Sequence, residues 1–145
     1  MDFMTAIDIA ASSLSAERTH MNVISMNLAN IKTTRTPEGG PYQRKTVIMA
    51  ERPVDEMGTH NMNSAFDREM RGVQVLHIAS DNRPLRRVHE PGHPDADESG
   101  YVYYPDINVV EEMANLMTAQ RGYEASVATI ETAKAMYTKA LEIGK

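Results

Sequence analysis

Residues 113–141, MANLMTAQRGYEASVATIETAKAMYTKAL, decide the fold of this 145-residue chain. Met113, Leu116, Gln120, Tyr123, Val127, Ile130, Lys134, Tyr137 and Leu141 recur at alternating spacings of three and four, an a/d seam interrupted by Gln120 and Lys134. Beside it runs a second row, Ala119, Ser126, Ala133 and Ala140, whose small side chains let a neighbouring backbone come close. The stretch predicts one long helix with two contact faces. Asp106 or Asn108 can cap its start, Asn108 and Glu111 have capping-box spacing, and Glu111 with Glu112 places negative charge on the first turn. Lys139 and Lys145 suit the negative pole and Gly144 terminates the helix, giving a length on the order of 50 Å.

The N-terminal segment repeats the pattern. Ile7, Leu14, Met21 and Leu28 are seven apart, Phe3, Ala10, Ile24 and Ile31 fill most intermediate positions, and Glu17 breaks the second series. Asn22, Asn27 and Asn30 gather toward its end, where short amide side chains favour capping and turns, so this helix should finish near Asn30. All seven prolines lie between Pro37 and Pro105, and two breaker-free segments at opposite ends of a chain can pair only by enclosing what lies between. The expected fold class is therefore α+β. Long terminal helices, residues 1–31 and 106–145, pair as a coiled-coil-like stalk, and residues 32–105 form a small β-rich inserted domain. Within the stalk, Phe3, Ile7, Leu14, Met21, Ile24 and Leu28 should meet Met113, Leu116, Tyr123, Val127, Ile130, Tyr137 and Leu141. A helix pair has no third layer over its flanks, so the alanine row should seek a helix from elsewhere.

The middle of the chain has β grammar: short runs rich in Val, Ile and Tyr, punctuated by Pro and Gly. Strands are expected over 42–50, 72–80, 86–90 and 100–104, in a sheet of at most three to five strands. Residues 51–70 are polar, methionine-rich and without a firm period, and read as a mobile loop.

Composition narrows the function classes. With 15 basic against 20 acidic residues the formal charge is −5, and no basic stripe interleaves with aromatics, which argues against nucleic acid as a partner. Cysteine is absent, so neither disulfides nor thiolate chemistry contribute. No apolar run is long enough to insert in a membrane, and Asp2 and Asp8 in an N-terminus without leading basic residues make a Sec-type signal peptide unexpected.

Two constellations invite a chemical reading. His89, Glu90 and His93 spell H-E-x-x-H, but Pro91 and Gly92 stand at the x positions and preclude the helical turn that zinc ligation needs. Asp95, Asp97, Ser99, Gly100 and Asp106 resemble a calcium loop, yet Pro91 and Pro94 forbid an incoming helix, and an Asx-rich turn feeding a strand is the simpler account. Ser12, Ser13 and Ser15 lack a nucleophile-elbow pattern, phosphate-binding glycine loops are missing, and His20, His60 and His77 are scattered. Neither an enzyme nor a cofactor is expected. Gln120 and Lys134 read as register-setting polar residues within the seam.

The run Ser25, Met26, Asn27, Leu28, Ala29, Asn30, followed by Thr33, Thr34, Gly39, Pro41 and Tyr42, resembles the opening signature of the rod, hook and hook-associated axial proteins of the bacterial flagellum. Glu111 to Met113, Gln120 to Ala125 (with Arg121 and Tyr123) and Thr132 to Met136 resemble its closing signature. The short length and the run Glu90 to Asp97 are similar to the proximal-rod members. Ser126, Asp106 and Ile107 depart from the usual pattern. The resemblance implies a structural subunit of the basal-body proximal rod in the periplasm, exported by the flagellar type III apparatus and assembled as a helical drive shaft. It implies as partners the proximal and distal rod proteins, the basal-body adaptor at the membrane ring and the export apparatus. On that reading the a/d seam closes within a subunit and Ala119, Ser126, Ala133 and Ala140 meet the neighbouring one. The competing readings are a coiled-coil adaptor outside the flagellum and a calcium module using the loop from Asp95 to Asp106.

Overall fold

The computed structural model describes residues 3–54 and 69–144, with the Phe3 side chain outside the described set. Helix α1 spans Phe3–Ala29 and α2 spans Val109–Ile143. Between them run strands β1 (Lys45–Pro53), β2 (Arg71–Ser80), β3 (Arg86–His89) and β4 (Tyr101–Tyr104).

Asparagine ends the first helix and begins the second. The Asn30 amide donates to the Met26 carbonyl at 2.8 Å and its oxygen accepts from the Thr33 hydroxyl at 3.1 Å, so side-chain bonds replace the next turn of helix. Asn108 accepts from the backbone N–H of Val110 at 3.0 Å and caps α2. The reciprocal bond of a capping box is not made, because Glu111 is engaged by Arg83 at 3.2 Å.

β1 and β2 form an antiparallel ladder from Lys45↔Ser80 to Pro53↔Arg71, with a register shift between Ile48 and Met49. The ladder lies along α1, and the Val73 N–H donates to the Ser12 hydroxyl at 3.0 Å. β3 and β4 make a separate two-stranded ribbon. Gly100, at φ +77°, closes it, because a Cβ there would sit 3.1 Å from both His89 Nε2 and Pro91 Cβ. The expected single sheet is thus two ladders. Between them Arg83 pairs with Asp81 and with Glu111 at the start of α2. Of the loop expected over 51–70, residues 51–53 belong to β1 and 55–68 lie outside the described residues.

The apolar interior is assembled mostly from small and β-branched side chains, Ala10, Ala16, Val23 and Ile24 of α1, Val54 after β1, Val102 of β4, Ile107, and Ala119 and Ala133 of α2, with the two tyrosines Tyr42 and Tyr104 at the β side. Such residues let elements approach closely and raise little demand for a wide core.

Candidate assembly surface

The helices pack antiparallel, and side-chain contacts fix the register. Asn27 faces Glu112, Glu17 lies over Gly122, and the Ser126 hydroxyl is 3.1 Å from that of Ser13. A Cβ at Gly122 would stand 3.0 Å from Glu17 Oε1, so this glycine makes room for the glutamate that interrupts the apolar series of α1. The residues in closest apposition on α2 are the small ones. Ala119 and Ala133 are 2% and 3% exposed, and Ser126 is half-buried between them.

The small row, expected to meet a neighbouring subunit, lies instead against α1 within the chain. Met113, Tyr137 and Leu141 are exposed, while Leu116, Tyr123, Val127 and Ile130 are half-buried along the edge of the small row. Among the described seam residues of α1, Ile24 is fully buried, and Ile7, Leu14, Met21 and Leu28 are half-buried. Ala119, Ser126 and Ala133 are therefore occupied within the chain and do not face outward. The physical reason is distance: alanine and serine allow the helix axes to close up, and the longer apolar side chains are displaced to the flanks. One such flank is a shallow recess where Leu14, Ala11, Ser15 and Arg18 meet Tyr123.

The same register carries α2 past the described part of α1. Ala140 continues the small row but is exposed, as is Leu141, and Ile143 is 85% exposed. Val110, Met113 and Met117 form another exposed apolar strip near the beginning of α2.

At the opposite end of the pair lies a polar cluster. Asn27 and Glu112 are each 0% exposed. The Asn27 amide binds the backbone of Lys45 as a neighbouring strand would, accepting from its N–H at 2.9 Å and donating to its carbonyl at 2.8 Å. Its oxygen also accepts from the Tyr42 hydroxyl at 3.0 Å, and its nitrogen donates to Glu112 at 3.2 Å, which uses every bond the side chain can make. Arg44 donates through Nε and a terminal nitrogen to Glu112 Oε1, both at 2.7 Å, and reaches Asp81 at 3.2 Å. Asp81 accepts from Arg83 Nε at 2.9 Å, and Arg83 returns to Glu111. Burial first, and then the charge of Glu112, raises the Tyr42 hydroxyl above its ordinary value. The hydrogen bond from Arg83 holds the Glu111 carboxyl below its own.

Of the signature residues, Asn27 and Asn30 carry these bonds, Leu28 and Tyr123 are half-buried, and Ala29 and Arg121 are exposed. The sequence reading assigns Glu112 to the helix dipole and misses its partners. The available signal was its place, seven residues before Ala119, which puts a carboxylate at the head of the small row.

The two chemical motifs are absorbed into the β3–β4 turn. Asp97 accepts from the N–H groups of Tyr101 and Ser99, each at 2.9 Å, and these bonds, Tyr101 first, lower its carboxyl. Asp95 accepts from the Thr34 hydroxyl at 2.8 Å, Glu90 accepts from Tyr104 at 2.9 Å, and His93 Nδ1 accepts from the Asp95 N–H at 3.1 Å. Among the described residues no group of three His, Cys, Asp or Glu side chains could hold a metal ion, and no helix is long and apolar enough to cross a membrane.

Comparison with known proteins agrees with this architecture. A family model described as flagella basal body rod protein matches residues 7–35, and one described as the C-terminal region of the flagellar basal body rod FlgEFG proteins matches residues 98–143. The chain is 38% identical to the flagellar basal-body rod protein FlgC of Borreliella burgdorferi, over 99% of this chain and 98% of the relative. It is 37% identical to the FlgC proteins of Escherichia coli O6:H1, over the whole of both chains, and of Bacillus subtilis, over 97% of each. Two family matches that fall on the two paired helices, with full-length identity across distant bacteria, establish that the chain belongs to the FlgC family of flagellar basal-body rod proteins.

Proposed function

We propose that this chain builds the proximal rod through the flanks and the overhanging end of its helix pair. Membership of the family makes it a structural subunit of the basal-body rod, located in the flagellar basal body. In the assembled state, residues 1–31 and 106–145 form a coiled-coil-like axial layer, and residues 32–105 form an outer layer that spaces subunits and passes torque. The role is mechanical and non-catalytic. Its partners are the other proximal and distal rod proteins and the adaptor at the membrane ring, and it reaches them through the flagellar type III export apparatus.

The observation that carries this reading is the overhang. Ala140, Leu141 and Ile143 continue the helix beyond the reach of described α1 and remain exposed, an apolar end that a solitary molecule leaves in water. Capping that end with a neighbour's surface is a heterologous contact, and a heterologous contact that does not close generates a filament. α2 itself gains from company: the hydroxyls of Thr118, Thr129, Thr132 and Thr138 bond back to carbonyls four residues earlier, a pattern that weakens and bends an isolated helix.

Leu141→Asp tests the proposal. The monomer should keep its circular dichroism and melting temperature, while a strain lacking its own rod gene and supplied with this variant should form no rods and fail to swim. Normal rods would count against the overhang as a contact.

A further inference from the structure

The charged side chains at the base of the helix pair form a closed circuit. From Glu112 it runs through Arg44 to Asp81, from Asp81 through Arg83 to Glu111, and so returns to the first turn of α2 where it began. The Asp81 N–H also donates to the Arg44 carbonyl at 2.7 Å, so backbone as well as side chain joins the start of β1 to the end of β2. Asn27 ties the end of α1 into the same point through Lys45 and Glu112. Four elements thus meet at one polar centre.

Stability alone does not account for such an arrangement. Glu112 heads a buried row otherwise made of Ala119, Ser126 and Ala133, and removing an ion pair from water usually costs as much as it returns, so apolar residues of similar size would hold the helices at least as well. What apolar packing lacks is direction. A guanidinium that bonds Glu112 with two nitrogens and Asp81 with a third fixes the orientation of the ladder relative to the helices in a way that sliding methylenes do not. In a helical assembly each subunit repeats the angle of the last, so an error in that angle accumulates along the shaft.

We propose that Arg44, Glu112 and Asp81 are positioning residues that set the angle between the β region and the helix pair, and that rod assembly depends on this angle more than on the stability the ions supply. The inference rests on the rod reading above.

The test uses the full chain with Arg44→Met and Glu112→Leu together. The purified variant should melt at or above the wild-type temperature. Hydrogen exchange should quicken over residues 45–53 and 71–81 and stay slow over 109–136, and a strain depending on the variant should lose most of its rods and its swimming. Asp81→Asn, at the most exposed of the three positioning residues, should lose rods with little change in melting. Wild-type rod numbers in either variant overturn the proposal, and so does a double variant that fails to fold, since the ions would then be stabilisers. A wild-type chain that restores no rods counts against the rod reading alone, and the exchange pattern then decides the clamp by itself.

Discussion

The two ends of the helix pair are built on opposite principles. At the Asn27 and Glu112 end, two buried polar side chains with fully committed hydrogen bonds join four elements. At the other end Ala133 is the last buried residue of α2, and beyond it Ala140, Leu141 and Ile143 stand in water. The first end fixes geometry through its polar bonds, with the exposed strip of Val110, Met113 and Met117 running beside it. The other is left apolar and open, as the proposed contact with a neighbouring subunit requires. Removing Glu112 or Asn27 alone from the first, which strands its buried partners, should therefore damage the monomer, whereas a change at the second should spare the monomer and damage the assembly.

The largest expected effect lies at the polar end. Glu112→Ala leaves the Arg44 guanidinium near the core without its main partner, a loss of about 3–5 kcal/mol that a shift in the urea midpoint would register. Asn27→Ala orphans the Lys45 backbone and the Tyr42 hydroxyl and should cost about 1–3 kcal/mol, with exchange quickening first in β1. Asn108→Ala removes the α2 cap and should cost about 1 kcal/mol. At the open end, Leu141→Ser should change monomer stability by less than about 0.5 kcal/mol while reducing rod formation, and a large monomer effect there would break the comparison. The smallest effect concerns pH. Asp97 has a lowered carboxyl, so its contribution is present above the ordinary carboxylate value and is lost as pH falls through the folded-state value. Acid should loosen the β3–β4 turn before the helices, seen as early exchange at Ser99 and Tyr101, and Asp97→Asn should blunt that response.

Between these ends, the flank residues show how far a repeat can be read. The heptad spacing of Leu14 and Tyr123 correctly marks helices of the right length and place, and alternating Val, Ile and Tyr with intervening Pro and Gly mark four strands within a few residues of their bounds. Pairing was harder. β2 and β3 are close in sequence but belong to separate ladders, and the chain between them is tied through Arg83 to Glu111, a contact across 28 residues that no local pattern announces. The polar centre was legible only in fragments. Asn27 stood out within the N-terminal signature and Glu112 at a helix start, but Arg44 and Asp81 sit in ordinary turn and strand-end contexts.

The sequence by itself determined that two long helices would flank a β-rich middle, and it carried enough of the axial-protein pattern to point to the flagellum. Periodicity and the confinement of proline are local properties, and local properties need no partner to be read. Only the tertiary structure decided which of the two rows on α2 closes against α1. Both rows satisfy the same spacing, and the choice falls to the one whose volume lets the backbones meet, so that alanine and serine go inside and the larger apolar residues are left to the flanks.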